Sequence, residues 1–333
     1  MSTVADSGPQ HTATPGLPDP DQGGQHRPVL LHPLIESLQP RTGQTVVDGT
    51  LGAGGVTAAL SERVGPEGRV IAVDRDPEAV GRARTRFAGG NVTAVHGDFA
   101  DLGQILDTLG IPSVDSVALD LGISSVQLDD ARRGFSFRHD GPLDMRMDQT
   151  SGGLTAADVV NTYDEDELRD LIGVFGEERF ARGIAAAIVR QRTSRHLATT
   201  GELAQLVERT VPRRYWPKRI HPATRTFMAL RIEVNAELES ITRGLQAAIN
   251  VLRPGGRLGV IAFHSLEDTL VKNALNVAAQ NCLCPPQQPI CTCAHRASIL
   301  ILTRKAIRPD AAELAVNPRA RSARLRVAER LAA

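Results

Sequence analysis

Short apolar runs alternate with amphipathic stretches through the first third of the chain. Thr45–Asp48, Arg69–Asp74, Val92–His96 and Ser116–Asp120 read as four strands, with helices at Gly55–Val64 and Pro77–Phe87 between them. Such alternation builds a mostly parallel sheet covered by helices on both faces. The alternation stops at Asp129. From there to about Met228 no strand-like run occurs, and the stretch, including Asp164–Phe175 and Glu177–Arg192, reads as loops and helices. Strand and helix then resume with a helix at Glu237–Leu252, a Pro254-Gly255-Gly256 turn, a fifth strand at Arg257–Phe263 and a helix at Glu267–Ala279. Two further strand candidates, Ser298–Thr303 and Ala323–Ala328, complete the pattern. The expected fold class is α/β: a Rossmann-like, mostly parallel, seven-stranded sheet carrying an inserted helical domain. Residues 26–128 and 229–333 would form the sheet domain and residues 129–228 the insertion. Residues 1–25 are rich in Pro, Gly, Gln, Thr and Asp without periodicity, and read as a disordered tail because they cannot bury enough apolar surface to offset ordering.

Composition narrows the class. Hydrophobic residues are 41% of the 333 and aromatics only 3%, so the interior is expected to be Val, Leu, Ile and Ala, the filling of a covered parallel sheet. No apolar run approaches the ~20 residues of a bilayer span, and the polar first 25 residues lack a signal-peptide core. A cytoplasmic protein with no membrane partner is the expectation. The formal net charge is zero, but its distribution is uneven. From Arg179 to Arg231 twelve Arg or Lys face two acids, Glu202 and Glu208, and from His295 to Ala333 nine face three. Either the molecule is bipolar with a face suited to phosphates, or these are solvated helix faces.

The candidate chemistry starts at the end of the first strand, in Val47-Asp48-Gly49-Thr50-Leu51-Gly52-Ala53-Gly54-Gly55. A glycine-rich turn opening a helix lets backbone approach a ligand where a Cβ would intrude. The second strand ends at Asp74, twenty positions after Gly54, where a carboxylate can accept from both ribose hydroxyls of a nucleoside cofactor. Two features favour S-adenosylmethionine over a dinucleotide. Asp48 would repel a pyrophosphate but attract an ammonium or sulfonium, and Gly52-Ala53-Gly54-Gly55 departs from G-x-G-x-x-G. Asp98 and Phe99, after the third strand, could flank the adenine. The alternative is that all of these are ordinary turn residues.

The fourth strand runs into Asp120-Leu121-Gly122-Ile123-Ser124-Ser125-Val126-Gln127-Leu128-Asp129, at the edge where open α/β sheets bind ligands. Here the chain strongly resembles the RsmH (MraW) family, whose members carry D-L-G-x-S-S-x-Q-L-D. Further matching blocks are Arg133-Gly134-Phe135-Ser136-Phe137, Asp140 to Met147 (D-G-P-L-D-M-R-M), and Gly176-Glu177-Glu178-Arg179. So are His221 to Phe227 (H-P-A-T-R-T-F), Phe263 to Asp268 (F-H-S-L-E-D), and Asn317 to Ser322 (N-P-R-A-R-S), so that the resemblance spans about His26 to Leu331. It implies a class I methyltransferase fold and transfer of a methyl group from S-adenosylmethionine to the exocyclic amine of one cytidine in the decoding region of 16S ribosomal RNA. The implied partner is the small-subunit RNA, within an assembled or nearly assembled 30S subunit, with free RNA as the alternative. A homodimer is the alternative to a monomer. The cofactor contacts implied are Gly54, Gly55, Val56, Asp74, Phe99, Asp120 and Gln127. Val56 stands where relatives often have His, so its contact is through backbone, and Thr269 stands where relatives often have Arg after F-H-S-L-E-D.

An aromatic amine is a poor nucleophile, so the enzyme must align it with the methyl and take its proton late. Asp120 is cast as a binder. Asp144, His264 and Asp268 are the candidates for orienting the amine and accepting the proton; equally, Asp144 could pair with Arg146 and Asp268 could cap a helix. A paired cytosine is out of reach, so the base must be unpaired or flipped. The basic stretch Arg213 to Arg219 carries the chain's one Trp, Trp216, which suits either base stacking or a packed core.

All four cysteines, Cys282, Cys284, Cys291 and Cys293, fall in one cluster. In a cytosolic protein they would be free thiols or a structural zinc site rather than disulfides. Competing readings of the whole chain are a nicotinamide-dependent oxidoreductase, disfavoured by Asp48 and the loop spacing, and a non-catalytic ribosome assembly factor, disfavoured by Asp74, Asp120 and Gln127. A DNA amino-methyltransferase would carry a D/S/N-P-P-aromatic motif where this chain has Asp120-Leu121-Gly122.

Overall fold

The structure is a computed structural model and describes residues 28–218, 220–285, 287–288 and 290–332, without the side chains at 318 and 319. The expected N-terminal tail and Arg219 lie outside the described residues. The first half supplies α1 (Leu31–Leu38), β1 (Thr45–Asp48), α2 (Gly55–Val64), β2 (Arg69–Asp74), α3 (Pro77–Arg86), β3 (Val92–His96), α4 (Leu102–Thr108) and β4 (Val114–Asp120). A helical run follows: α5 (Ser125–Asp129), α6 (Ala156–Thr162), α7 (Glu165–Gly176), α8 (Ala181–Arg192), α9 (Thr200–Thr210), α10 (Thr224–Val234) and α11 (Glu237–Val251). The chain closes with β5 (Leu252–Ala262), α12 (Ser265–Ala278), β6 (Ile299–Ile301), α13 (Ala311–Val316) and β7 (Arg324–Arg330).

The seven strands lie in the order β3-β2-β1-β4-β5-β7-β6. The first five are parallel; β7 runs antiparallel to both β5 and β6, so it alone is reversed. This is the expected Rossmann-like, mostly parallel sheet. Val70, Ile71, Ala72 and Val73 of β2 are all fully buried, as a strand covered on both faces requires. One face packs on α4, α11 and α12 through Leu102, Leu106, Leu245 and Leu275, the other on α1 and α2 through Leu34, Leu38 and Leu60. Strand order reverses at β1, whose neighbours β2 and β4 diverge in sequence, and that switch point opens a crevice at the carboxyl ends of the strands.

The helices between β4 and α11 build a separate core around Met145, Leu168, Ile172, Ile184, Ile188 and Leu230. Their ends follow short-range signals: capping boxes at Thr155/Asp158, Asp164/Glu167 and Thr199/Glu202 start α6, α7 and α9. The boundary expected after residue 228 needs correction, because it falls inside α10. That helix is continuous, and Phe227, Ala229 and Leu230 on either side of the boundary bury into the same helical core. The turn into the sheet layer comes at Ala236, in the left-handed region at φ 47°. The fifth strand also starts earlier than expected, since its pairing to β4 reaches back to Leu252 through an irregularity between Val114 and Ser116.

Candidate active site

The crevice is built on β1, and its register places the acids around it. Asp48 pairs with Ala72 on one side and Ala118 on the other, so Asp74 and Asp120 each stand two residues further along the flanking strands, with the glycine loop between them. Asp74 holds that loop directly: Gly52 N–H donates to its Oδ2 at 2.7 Å and Asp76 N–H to its Oδ1 at 2.9 Å. Each oxygen keeps lone pairs for further donors. Burial raises the Asp74 carboxyl above its usual range, against these two N–H donors. Gly54 adopts φ +78° as the N-cap of α2, a left-handed conformation that a side chain would strain. Gly55 opens α2 against Pro28. Val56 buries its side chain beside α1 and β1, leaving its backbone as the part able to meet a ligand.

Asp120 is strongly perturbed. Burial first, then the charges of Asp48 and Glu267, push its carboxyl up to about 8. Its Oδ1 is buried with no hydrogen-bond partner among the described residues. A buried acceptor left open at a crevice is a place for a donor or a cation to bind. Asp48 does something different from what its sequence position suggested. It is fully buried, accepts from Thr57 Oγ1 at 2.6 Å and Thr50 N–H at 3.2 Å, and so braces the glycine turn from below rather than facing the crevice. Burial raises it to about 6, and its charge acts on both crevice acids, Asp74 and Asp120.

Gln127 is 6% exposed and fully engaged: it boxes the start of α5 with Ser124 and donates from Nε2 to Asp76 Oδ2 at 3.0 Å. The same Asp76 oxygen takes Arg133 Nη1 at 2.8 Å, and Arg133 Nη2 donates to the carbonyl of Met147 at 2.6 Å. Asp76 and Arg133, both almost wholly buried, are thus a hub that the sequence reading missed. The Asp-Pro pair opening α3 was the available signal, but it reads first as a helix cap, which Asp76 also is. Asn235 completes the hub. It bonds Met145 O at 2.8 Å and Met147 N at 2.7 Å through its side chain, and its carbonyl takes Arg75 at 2.6 Å, so residues 144–148 are tied to the end of β2.

Phe99 lies at the crevice edge, but its ring packs against α11. A Cβ on Gly244 would come within 2.2 Å of that ring, so the helix can approach only because residue 244 has none. Of the Phe99 pair, the residue whose side chain makes polar contacts is Asp98, with Ala100 N–H at 2.9 Å and Ser240 Oγ at 2.9 Å.

The three proton-acceptor candidates separate clearly. Asp144 is clamped by Arg146, which donates Nε at 3.0 Å and Nη2 at 2.7 Å; although burial works the other way, this guanidinium holds the carboxyl below its usual range. Asp268 takes Arg326 Nε at 2.7 Å and Arg324 Nη1 at 2.8 Å, and these two cations likewise lower it against burial. Both carboxylates are thus tied to arginines within the fold and anchor their segments. Asp268 does not cap α12 either; His264 and Glu267 form that box, with Phe263 N–H donating to Glu267 Oε2 at 2.7 Å. His264 is different. Its Nε2 lies 3.0 Å from Glu267 Oε1, off hydrogen-bond alignment, and its Nδ1 has no partner among the described residues. Burial opposes ionisation of Glu267, but His264, Arg231 and the Phe263 N–H keep it ionised below its usual range. Arg231, forked onto Glu237 at 2.7 and 2.8 Å, joins α10 to this corner.

On the helical layer, Trp216 donates Nε1–H to Val211 O at 2.8 Å and packs against the helical core, so it is no stacking platform. The exposed aromatic is Tyr215, 40% accessible, with the Arg179 guanidinium 4.4 Å and that of Arg214 4.9 Å from its ring centre.

Comparison with known proteins agrees with this geometry. The model of the MraW methylase family matches residues 23–331. A curated relative from Syntrophotalea carbinolica, named Ribosomal RNA small subunit methyltransferase H, is 50% identical over 309 residues, covering 92% of this chain and 98% of its own. One of the same name from Thermomicrobium roseum is 50% identical over 310 residues, covering 92% of this chain and 94% of its own. With a family model spanning nearly all of the chain and relatives half-identical along both lengths, the chain belongs to the MraW methylase family and is a methyltransferase.

Proposed function

We propose that the protein transfers a methyl group from S-adenosylmethionine to the exocyclic amine of a cytidine in the decoding region of 16S ribosomal RNA, presented by an assembled or nearly assembled 30S subunit. The observation that carries the cofactor reading is the pair of acids on either side of the glycine loop, one with spare lone pairs and the other with a buried, unpartnered oxygen. Against a dinucleotide, the turn Gly52-Ala53-Gly54-Gly55 departs from the G-x-G-x-x-G spacing that seats a pyrophosphate.

S-adenosylmethionine supplies, when bound, a methyl on a positively charged sulfur that becomes a neutral thioether on transfer. Asp74 accepts the ribose hydroxyls. The backbone at Gly54, Gly55 and Val56 gives room for close approach, and Asp120 accepts from a donor or cation of the same molecule. Phe99 and Gln127 act by shape: the first walls the crevice and the second holds Asp76 and the start of α5. His264 takes the amine proton as the new N–C bond forms, and the Glu267 carboxylate stabilises the imidazolium that results. The helices of residues 129–236 present the RNA. Arg179, Arg214 and Tyr215 combine phosphate-seeking charge with an exposed ring, the pairing that holds unstacked bases. The target base reaches the crevice only when unpaired or flipped.

The experiment is methyl transfer from labelled S-adenosylmethionine to small subunits from cells lacking this gene, followed by mass spectrometry of the digested RNA. N4-methylcytidine at one decoding-region position is the expected product; label on adenosine or on protein overturns the substrate. Asp74→Ala is expected to lower cofactor affinity by at least tenfold in calorimetry, a loss of about 1.4 kcal/mol or more.

A further inference from the structure

The described residues of 279–298, between α12 and β6, include no helix or strand, and none of them is buried. Such connections are uncommon in compact domains, and apolar burial does little to hold this one together: Ala279 packs at the edge of the sheet core, but Leu283 is 45% and Ile290 75% exposed. Yet its four cysteines converge. Cys282 Sγ is 3.4 Å from Cys291 Sγ, Cys291 Sγ is 3.6 Å from Cys293 Sγ, and Cys293 Sγ is 3.8 Å from Cys282 Sγ. With Cys284 included, all four sulfurs lie within 4.8 Å of one another.

Four thiolates around zinc at about 2.3 Å place their sulfurs about 3.8 Å apart along the edges of a tetrahedron, close to the 3.4 to 3.8 Å among Cys282, Cys291 and Cys293, with Cys284 within 4.8 Å. A disulfide needs its sulfurs at about 2.0 Å, which no pair approaches. Backbone donors also point at the sulfurs: Leu283 N–H to Cys293 at 3.3 Å, Cys284 N–H to Cys282 at 3.4 Å and Thr292 N–H to Cys284 at 3.4 Å. Such donors offset the excess negative charge of a tetrathiolate on a divalent cation. All four ligands come from two Cys-x-Cys pairs on one loop, leaving no open position for substrate, so the role is structural. Sulfur-only tetrahedral ligation selects a soft metal over magnesium or calcium.

We propose that Cys282, Cys284, Cys291 and Cys293 bind one structural zinc ion that staples this loop onto the end of α12 and the start of β6. The site is separate from the methyl-transfer crevice and stands or falls independently of it. Ordering of the loop is coupled to metal binding, as in other small sites without a core of their own.

The test uses the full chain, purified under reducing conditions without a metal-chelating resin from cells grown with added zinc. Elemental analysis is expected to find about one zinc per chain, falling to background in a Cys291→Ser, Cys293→Ser double variant. Replacement by Co(II) in the wild-type chain should give the intense red-region absorption of tetrahedral tetrathiolate cobalt, which does not depend on any variant folding. Stripping the metal should speed tryptic cleavage after Arg296 severalfold, and zinc added back should restore protection. Metal-free protein with four thiols open to Ellman's reagent, two disulfides by mass spectrometry, iron in place of zinc, or cleavage indifferent to chelation would each overturn the proposal.

Discussion

Asp74 and Asp120 occupy equivalent positions on either side of β1, and their surroundings give them different behaviour. Asp120 has its pKa raised from 3.8 to about 8 in the folded chain. Between those limits the folded state binds more protons at this site than the unfolded one, so its contribution makes stability fall as pH rises. Asp120→Asn should therefore flatten the pH dependence of unfolding between about pH 4 and pH 8, read by urea titration against wild type. Binding of a cationic cofactor draws the carboxyl back to its ionised form, so affinity should rise with pH up to about 8 and calorimetry in buffers of different ionisation heat should detect proton release. An affinity flat across this range would exclude Asp120 as the cation's partner. The same logic separates His264 from Asp268. His264→Gln should cut kcat by about a hundredfold or more, with little change in cofactor affinity. Asp268→Asn, by freeing Arg324 and Arg326, should reduce stability while kcat changes little. The opposite pattern would return Asp268 to the chemistry. Asp74 was legible in the sequence because a strand end and a glycine loop fix its place locally. The roles of Asp144 and Asp268 were not, since a carboxylate's basicity depends on which cation folds against it.

At the level of elements, the loops at the carboxyl edge are held by buried polar contacts rather than by apolar packing. Asp76 connects the starts of α3 and α5 to Arg133, which is 3% exposed. Asp76→Ala would leave that guanidinium buried without its carboxylate, a loss of about 3–5 kcal/mol, measurable as a lowered urea midpoint. Should the variant unfold at the wild-type midpoint, the hub is not what holds this edge. Strand and helix positions in the sheet layer were legible because apolar runs, glycine turns and capping residues act over a few positions. Ends were less so. β5 extends back to Leu252 because β4 offers it a partner there, and α10 runs through residue 228 because the helical core buries both of its halves.

Across the whole molecule, the basic stretch noted in the sequence becomes a surface only once the helices pack. Arg179, from the segment before α8, and Arg214, from the segment after α9, meet over the ring of Tyr215. Tyr215→Ala should weaken binding to a decoding-region RNA by about 1–3 kcal/mol. Arg214→Ala should reduce the slope of log affinity against log salt by about 0.7 if it meets a phosphate of an unpaired strand. Both are read by titration at several salt concentrations. Wild-type slopes and affinities in both variants would remove this patch from the RNA-binding face.

The sequence alone determined the class of fold, the glycine loop and the acid opposite it, because each is written in residues only a few positions apart. It also determined the family, through ordered blocks covering almost the whole chain. Tertiary structure alone decided which acids are free. Asp268 is neutralised by Arg326, 58 positions away, and Asp48 is sealed beneath the loop by its own strand and helix. Tertiary structure also made Tyr215, not Trp216, the exposed ring, and brought four cysteine sulfurs within 4.8 Å of one another. The reason is range: backbone propensity and periodicity are local, whereas burial and charge pairing are properties of neighbours that only folding supplies.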